Sequence, residues 1–240
     1  WLGSADDTAI PSPTGLTPKT IERYRELAER QIIPHLGAVL LQKLRPSRLT
    51  EWHKALLAGG GEDGRALSPR TVGHAHRVLH RALALAVSSE LINRNVAAAI
   101  RPPKVAETEI EILDKMQVAH VLDRLQEHAL YPIAMLALAT GMRRGELCGL
   151  QLGDLDLESA TVRVERSLEE TAAGLRLKPP KTTHSRRTLS LPARAVTALR
   201  QHWKQHLETR LALGLGKPEA HAPLFAQPDG SLLSPENLSG

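Results

Sequence analysis

The sequence predicts a mainly α-helical protein that carries a small antiparallel β-sheet and divides into two domains. Several stretches repeat apolar residues with the period of about 3.6 residues that a helix requires. Two shorter stretches alternate apolar and polar residues, as half-buried strands do. Pro102 and Pro103 stand in tandem within a connector at residues 95–105, and because a helix cannot continue through them, they mark the domain boundary.

The first half of the chain contains two helix-start signals of the same kind. Thr17-Pro18 and Ser68-Pro69 each place a hydroxyl at a helix N-cap and a proline at the first helical position. We predict three helices in this half: residues 18–32, ending before Pro34; residues 46–57, followed by three glycines; and residues 69–91.

The third of these helices has an apolar face and a basic face. Its apolar residues follow the helical period and are expected to face a core: Val72, Ala75, Leu79, Ala82, Leu83 and Ala86. Its basic residues form one stripe without an acidic member: Arg70, His74, Arg77 and Arg81. A weaker stripe in the first helix is interrupted by Glu26: Lys19, Arg23 and Arg30.

Charge is distributed unevenly along the 240 residues. Residues 1–104 hold 15 Lys and Arg against 9 Asp and Glu, whereas residues 105–240 hold 16 against 17. A basic excess in one domain indicates a polyanionic partner. Aromatic residues make up only 2%, which disfavours a stacking platform for single strands, so duplex DNA is the better candidate. An ordinary solvated face remains an alternative for either basic stripe.

The second half predicts both helices and strands. Helices are expected at residues 114–127, 131–140, 143–150 and 193–213. Residues 161–166 and 187–191 alternate as strands do, and between them lie Gly174 and the basic stretch that contains Lys178 and Lys181. We therefore predict a hairpin with a long, basic tip.

The motif most informative about chemistry is ATGMRRGELCGL at residues 139–150, followed by GDLD at residues 153–156. Further along are KPPKTTHSRRTLSL at residues 178–191 and, in the first half, IPHLG at residues 33–37. Taken in their order along the chain, these segments resemble the corresponding motifs of the tyrosine recombinases of the phage-integrase type. The resemblance covers essentially the whole chain.

The resemblance implies a particular domain organisation and activity. It implies an all-α SAM-like core-binding domain at residues 1–100, a linker at 101–109, and a mixed α+β catalytic domain at 110–240 that is incomplete. The implied activity is site-specific DNA recombination through a 3′-phosphotyrosine intermediate. The two domains would lie on opposite sides of a duplex, and the complete protein would act as a homotetramer on DNA.

The family motif also implies roles for individual residues. Arg143 would bind the non-bridging phosphate oxygens as a bidentate fork, with Glu146 holding its guanidinium in place. Lys181 would protonate the leaving 5′-oxygen as a general acid, with Lys178 as the alternative. The expected DNA contacts are Lys19, Arg23, Arg70, His74, Arg77, Arg81, Arg101, Lys104, Arg144 and Arg187.

No cofactor, metal ion, membrane or small-molecule substrate is expected. His76 and His80 have the spacing of a metal-ligand pair, but a structural or DNA-facing role is favoured without further ligands. Cys148 is the only cysteine, which suits a reducing cytosol, and packing is its expected role. The resemblance implies a bacterial, nucleoid-associated cytoplasmic protein.

The family's downstream H-x-x-R motif and nucleophilic tyrosine have no counterpart in this sequence. Tyr24 and Tyr131 are the only tyrosines, and we expect both to pack in cores. We therefore expect a chain truncated at both ends that binds DNA but does not cleave it. The alternative is a non-catalytic integrase-like regulator, which would not require both Arg143 and Lys181.

Overall fold

The computed structural model describes residues 15–61, 63–107, 109, 111–179, 185–227 and 229–238. The chain divides into two compact units, Trp1–Ile110 and Glu111–Gly240. As predicted, the fold is mainly α-helical with small antiparallel sheets. Lys181 lies outside the described residues. Among the helices of the described ranges, none has the length and apolar character needed to cross a membrane.

The regular elements described in the first unit are all helical. Its elements are α1 (Pro18–Leu27), a π-helical segment (Ala28–Ile32), α2 (Ile33–Leu36), α3 (Pro46–Gly59), α4 (Pro69–Ser88), and 3₁₀ turns at Leu41–Lys43 and Val96–Ala99. The core is centred on fully buried residues of α3 and α4, namely Leu49, Leu56, Val72 and Ala75. The Ser68 side chain caps α4 by accepting a hydrogen bond from the Thr71 N–H at 3.1 Å, as the sequence predicts.

Two predicted helix ends in the first unit were wrong. The first helix does not end before Pro34, because the wider π turn is placed just upstream of it, where an α-helix would clash with the proline ring. The helix α4 ends at Ser88, short of Leu91, because Glu90 adopts a left-handed φ of 58°. The Leu91 N–H then bonds back to the Ala86 carbonyl at 2.9 Å and closes the last turn.

In the part of the second unit that the structure describes, four α-helices combine with two small antiparallel sheets and with 3₁₀ turns at Leu152–Asp154 and Glu236–Leu238. The helices are α5 (Lys115–Leu125), α6 (Tyr131–Thr140), α7 (Arg144–Cys148) and α8 (Ala193–Ala212). The strands are β1 (Leu155–Asp156), β2 (Thr161–Val164), β3 (Ser167–Thr171), β4 (Gly174–Lys178) and β5 (Arg187–Ser190). Leu136 of α6, Val162 and Val164 of β2, and Leu199 of α8 are buried in its main core.

The predicted hairpin is more elaborate than the sequence suggested. Strands β2 and β5 do pair, with Val162 opposite Leu189, and β1 completes a three-stranded sheet in the order β1-β2-β5. The segment between β2 and β5 is not a simple tip, because β3 and β4 pair with each other as a separate sheet, with Leu168 opposite Leu177. Lys178 therefore lies within a strand.

Candidate functional site

Arg143 stands at the junction between two helices. The helix α6 ends at Gly141, whose left-handed φ of 63° turns the chain, and the Gly141 N–H closes the helix on the Ala137 carbonyl. Arg143 then occupies the N-cap position of α7 with an extended backbone. It therefore lies just outside the helix in which the sequence placed it. Its side chain is 77% exposed.

Glu146 holds Arg143 through both the backbone and the side chain. The Arg143 N–H donates to Glu146 Oε2 at 2.9 Å, and Arg143 Nη1 donates to Glu146 Oε1 at 3.1 Å. The Glu146 side chain is only 5% exposed. A carboxylate so deeply buried requires cationic partners. The two bonds also hold the backbone and the Nη1 atom of Arg143 in place.

Arg187 supplies a second cation to the same carboxylate. Its Nη1 donates to Glu146 Oε1 at 3.2 Å and its Nη2 donates to Oε2 at 2.9 Å, which is a bidentate fork. Burial raises the pKa of the Glu146 carboxyl, but the hydrogen bonds from Arg187 and Arg143 together outweigh it and hold the pKa below its ordinary value. The bond to Glu146 raises the pKa of Arg187.

The three side chains leave a local excess of one positive charge. Within the described ranges, the Arg143 guanidinium makes one intramolecular hydrogen bond, through Nη1, so its other N–H groups remain available to a ligand. A planar guanidinium with free donors on an exposed surface matches the geometry of a phosphate or carboxylate. The arrangement can therefore bind an anion at Arg143.

Glycine allows α7 to approach β3 closely enough to form this arrangement. A Cβ on Gly145 would lie 2.6 Å from the Leu168 carbonyl oxygen and 2.7 Å from Ser167 Oγ. The turn that follows α7 is held by Asp154, which accepts from the Gln151 N–H at 2.8 Å and is paired with Arg166. The helix that follows Arg143 is thus held against β3 and at its C-terminal turn.

Lys178 and Lys181 are the two candidates for the catalytic lysine, and only Lys178 lies within the described residues. The Lys178 ammonium is paired with the buried Glu169 across the β3–β4 hairpin, so this lysine is held in place. Lys181 falls outside the described residues, and its role stays a prediction.

The predicted basic stripe of α4 lies at the surface of the first unit. Arg70, Arg77 and Arg81 are exposed, and in the described portion of the chain none of them has an acidic partner. Partial burial lowers the pKa of His74, and the neighbouring charges of Arg77, Arg23 and Arg70 lower it further. Arg23 belongs to α1, and because its charge affects the pKa of His74 it lies near the α4 stripe; Arg23 and the four residues of that stripe are called here the basic surface of α1 and α4.

The remaining predicted DNA contacts are also at the surface, but several of them carry intramolecular partners. Lys19 Nζ is 3.8 Å from Glu22 Oε2, and Arg23 Nη1 is 2.5 Å from Glu26 Oε2. Arg101, Lys104 and Arg144 are exposed. Arg187 is 28% exposed, and its fork is already occupied by Glu146, a pairing that the sequence did not predict. No local sequence pattern signals a contact between residues 41 positions apart.

His76 and Cys148 lie in buried positions, whereas His80 is exposed. His76 is buried with its Nδ1 3.1 Å from Nε2 of the buried His53. Considering only the described residues, no group of three His, Cys, Asp or Glu side chains could hold a metal ion. Burial raises the pKa of the Cys148 thiol to about 11, which fits a packing role.

Comparison with protein families identifies the chain. The sequence profile of the Phage integrase family matches residues 111–238, which is more than half of the 240 residues. The chain belongs to the phage integrase family. The profile of the family's N-terminal SAM-like domain matches residues 13–57 as well. The predicted membership in the tyrosine recombinases is thus confirmed.

Relatives of this integrase-family chain are longer than it is. It is 30% identical over 234 residues to the integrase of Streptomyces ambofaciens, covering 93% of this chain and 57% of that relative. It is 30% identical over 188 residues to the integrase of Mycobacterium phage L5, covering 77% of this chain and 48% of that relative. The chain thus spans about half the length of these relatives.

Solved structures of other integrases share the fold. The Tn1549 transposon integrase (residues 82–397), in complex with a circular intermediate DNA, superposes with a TM-score of 0.72 at 23% identity, covering 91% of this chain and 69% of that one. The lambda integrase (residues 75–356), a dimer bound to a core site, gives a TM-score of 0.67 at 17% identity. The match covers 95% of this chain and 70% of the lambda integrase chain.

Proposed function

We propose that this integrase-family chain is the DNA-binding and phosphate-binding part of a site-specific tyrosine recombinase. The observation that supports this most strongly is the exposed guanidinium of Arg143, held at its base by the buried Glu146 in the segment that the family profile matches. In the complete protein, the reaction is the attack of a tyrosine on a DNA phosphodiester, giving a 3′-phosphotyrosine and a free 5′-hydroxyl.

Arg143 stabilises the charge that gathers on the non-bridging oxygens in that reaction. A guanidinium fixed in advance costs no reorganisation when the charge develops, and such preorganised groups lower barriers by about 3 kcal/mol each. A regulator that only occupies DNA would not need a buried carboxylate devoted to orienting one exposed arginine. This consideration favours the recombinase over the regulator.

Lys181 is the proposed general acid for the leaving 5′-oxygen. The family motif supports it over Lys178, and the pairing of Lys178 with the buried Glu169 supports the same choice, because an ammonium held on a carboxylate within the hairpin is not free to reach a bound phosphodiester. No cofactor is required, since the phosphotyrosine linkage conserves the energy of the phosphodiester.

Duplex DNA is the proposed partner, through the basic surface of α1 and α4 together with Arg143 and Arg144. The similar Tn1549 and lambda integrases are bound to DNA in their solved structures, and the lambda integrase is also seen as a tetramer bound to a Holliday junction. We extend this to a homotetramer of the complete protein, acting on the bacterial nucleoid.

These 240 residues are proposed to bind DNA without cleaving it. Tyr24 packs against the core of the first unit, and Tyr131 packs against the cluster of Met135, Ala195 and Ala198 in the second. A tyrosine that forms part of a core is poorly placed to attack a phosphodiester in a bound duplex.

Two measurements on the 240-residue chain test this proposal. Fluorescence anisotropy should show binding to a labelled duplex that weakens steeply with salt, and weaker binding to the corresponding single strand. A nicked duplex that traps covalent intermediates should give no adduct that survives denaturation. Absence of duplex binding at physiological salt would refute the DNA-binding function, and a covalent adduct would refute the proposed inactivity.

A further inference from the structure

We infer that Arg187 is a positioning residue for Arg143, acting through Glu146, and does not itself contact DNA. The inference rests on the proposed function, because it assigns a role within the same phosphate-binding site. It replaces the expectation from the sequence that Arg187 is one of the DNA contacts.

The hydrogen bonds of the two arginines differ in kind. Arg187 uses Nη1 for both Glu146 Oε1 and the Ser185 carbonyl oxygen, at 3.2 and 3.1 Å, and Nη2 for Glu146 Oε2 at 2.9 Å. The Nη1–Nη2 end of its guanidinium is therefore occupied by acceptors of the protein itself. The Arg143 guanidinium gives only its Nη1 to the same carboxylate, and the Arg143 side chain is far more exposed, at 77% against 28% for Arg187.

The fork from Arg187 fixes the plane of the Glu146 carboxylate. A single hydrogen bond leaves a carboxylate free to rotate, whereas two parallel bonds from one guanidinium define its orientation. Both Glu146 oxygens also accept from Arg143, one from its backbone N–H and one from Nη1. By orienting the Glu146 carboxylate, Arg187 therefore also orients the exposed guanidinium of Arg143, which is bonded to the same carboxylate.

Loss of Arg187 would redirect Arg143 from its ligand to Glu146. The carboxylate is only 5% exposed, so without Arg187 it would draw on Arg143 as its remaining cationic partner among the described contacts. An Arg143 guanidinium turned inward onto Glu146 cannot present its free N–H groups to a phosphate. Removing Arg187 should therefore also abolish the contact between Arg143 and the DNA phosphate.

A double-mutant cycle on duplex binding tests this coupling. The proteins are the wild-type chain, Arg143→Ala, Arg187→Gln and the double variant, with anisotropy of a labelled mixed-sequence duplex as the readout. The control is Arg186→Gln, which removes an equal charge from a neighbouring side chain that is 60% exposed and lies 3.9 Å from Glu165. Urea denaturation of each protein checks that it is folded.

We expect Arg143→Ala and Arg187→Gln each to weaken binding about tenfold, the double variant to be no weaker than either, and Arg186→Gln to change binding less than twofold. Additive losses would overturn the inference and make Arg187 an independent DNA contact. If Arg143→Ala left binding unchanged, the proposed phosphate site would itself fail, and this inference with it.

Arg187→Lys separates the positioning role from the charge and serves if Arg187→Gln does not fold. Lysine keeps the cation but cannot form the fork. We expect the side-chain Nε–Hε NMR signal of Arg143 to shift on addition of duplex DNA in the wild-type chain, and to be unresponsive in Arg187→Lys. An equal shift in both proteins would overturn the inference.

Discussion

Glu146 of α7 and Arg187 of β5 lie 41 residues apart in sequence, yet they share two hydrogen bonds of 3.2 and 2.9 Å. The same carboxylate also accepts two hydrogen bonds from Arg143. One buried acidic side chain therefore connects the first residue of β5 to the arginine at the N-cap of α7.

Glu146→Gln should destabilise the second unit. The amide has the shape of the carboxylate, but it carries no charge and accepts hydrogen bonds through only one oxygen, so the fork from Arg187 is lost. Bonds between charged partners are worth about 2 kcal/mol each, and we expect a loss of this order in the free energy of unfolding, measured by urea denaturation. An unfolding midpoint equal to that of the wild-type chain would show that Glu146 does not hold the site together.

Gly145→Ala should loosen the packing of α7 on β3. The added Cβ would meet backbone and side-chain oxygens at 2.6 and 2.7 Å, so the helix must move, and we expect a loss of about 1–3 kcal/mol. The matched control is Gly73→Ala in α4, where the nearest atom, Pro102 Cβ, is 3.7 Å away, and where alanine favours the helix. Equal thermal unfolding of the two variants would contradict the account of this contact.

The predictions that succeeded from sequence depend on neighbouring residues. Ser68 caps α4, and α6 spans Tyr131–Thr140 as predicted, because caps, prolines and helical periodicity act over a few residues. The β3–β4 hairpin was not predicted, because β3 contains Glu169 and Glu170 in succession and lacks the alternation of a half-buried strand.

Contacts between site residues that are far apart in the sequence could not be predicted. Arg143 and Glu146 are three residues apart, and their contact was predicted from spacing and the family motif. Arg187 is among the DNA contacts expected from the sequence, in which no local pattern signals its distant partner. Only the pairing of β2 with β5 brings its guanidinium to the buried carboxylate of Glu146.

Arg77→Ala should reduce the salt dependence of duplex binding. If Arg77 contacts a phosphate, its loss removes one released counterion, and the slope of log affinity against log salt should fall in magnitude by about 0.9. Arg48→Ala is the control, because Arg48 is already paired with Glu51 at 3.2 Å and should change the slope less. An unchanged slope for Arg77→Ala would remove this residue from the interface.

The buried pair of His53 and His76 should make the first unit sensitive to acid. Burial lowers the pKa of His76 to about 4, and the neighbouring His53, His80 and Arg77 contribute. Because this pKa lies below the value of about 6.5 in the unfolded chain, stability is full above pH 6.5 and is lost as the pH falls towards 4.

Urea denaturation at successive pH values measures this effect, which could reach about 3 kcal/mol. His76→Gln should flatten the loss between pH 6.5 and 4, whereas His80→Gln, at an exposed position, should leave it nearly as in the wild-type chain. A pH profile that His76→Gln does not alter would exclude the buried pair as the cause.

The binding of Arg143 to a DNA phosphate is tested most directly by measuring duplex affinity across a range of salt concentrations for Arg143→Ala. The control is Arg210→Ala, whose Nε and Nη2 already donate to the carbonyl oxygens of Gly216 and Leu215 at 2.9 Å. We predict that Arg143→Ala weakens binding about tenfold and lowers the salt slope by about 0.9, while Arg210→Ala changes neither appreciably. Equal affinities and equal slopes for Arg143→Ala and the wild-type chain would contradict the proposal.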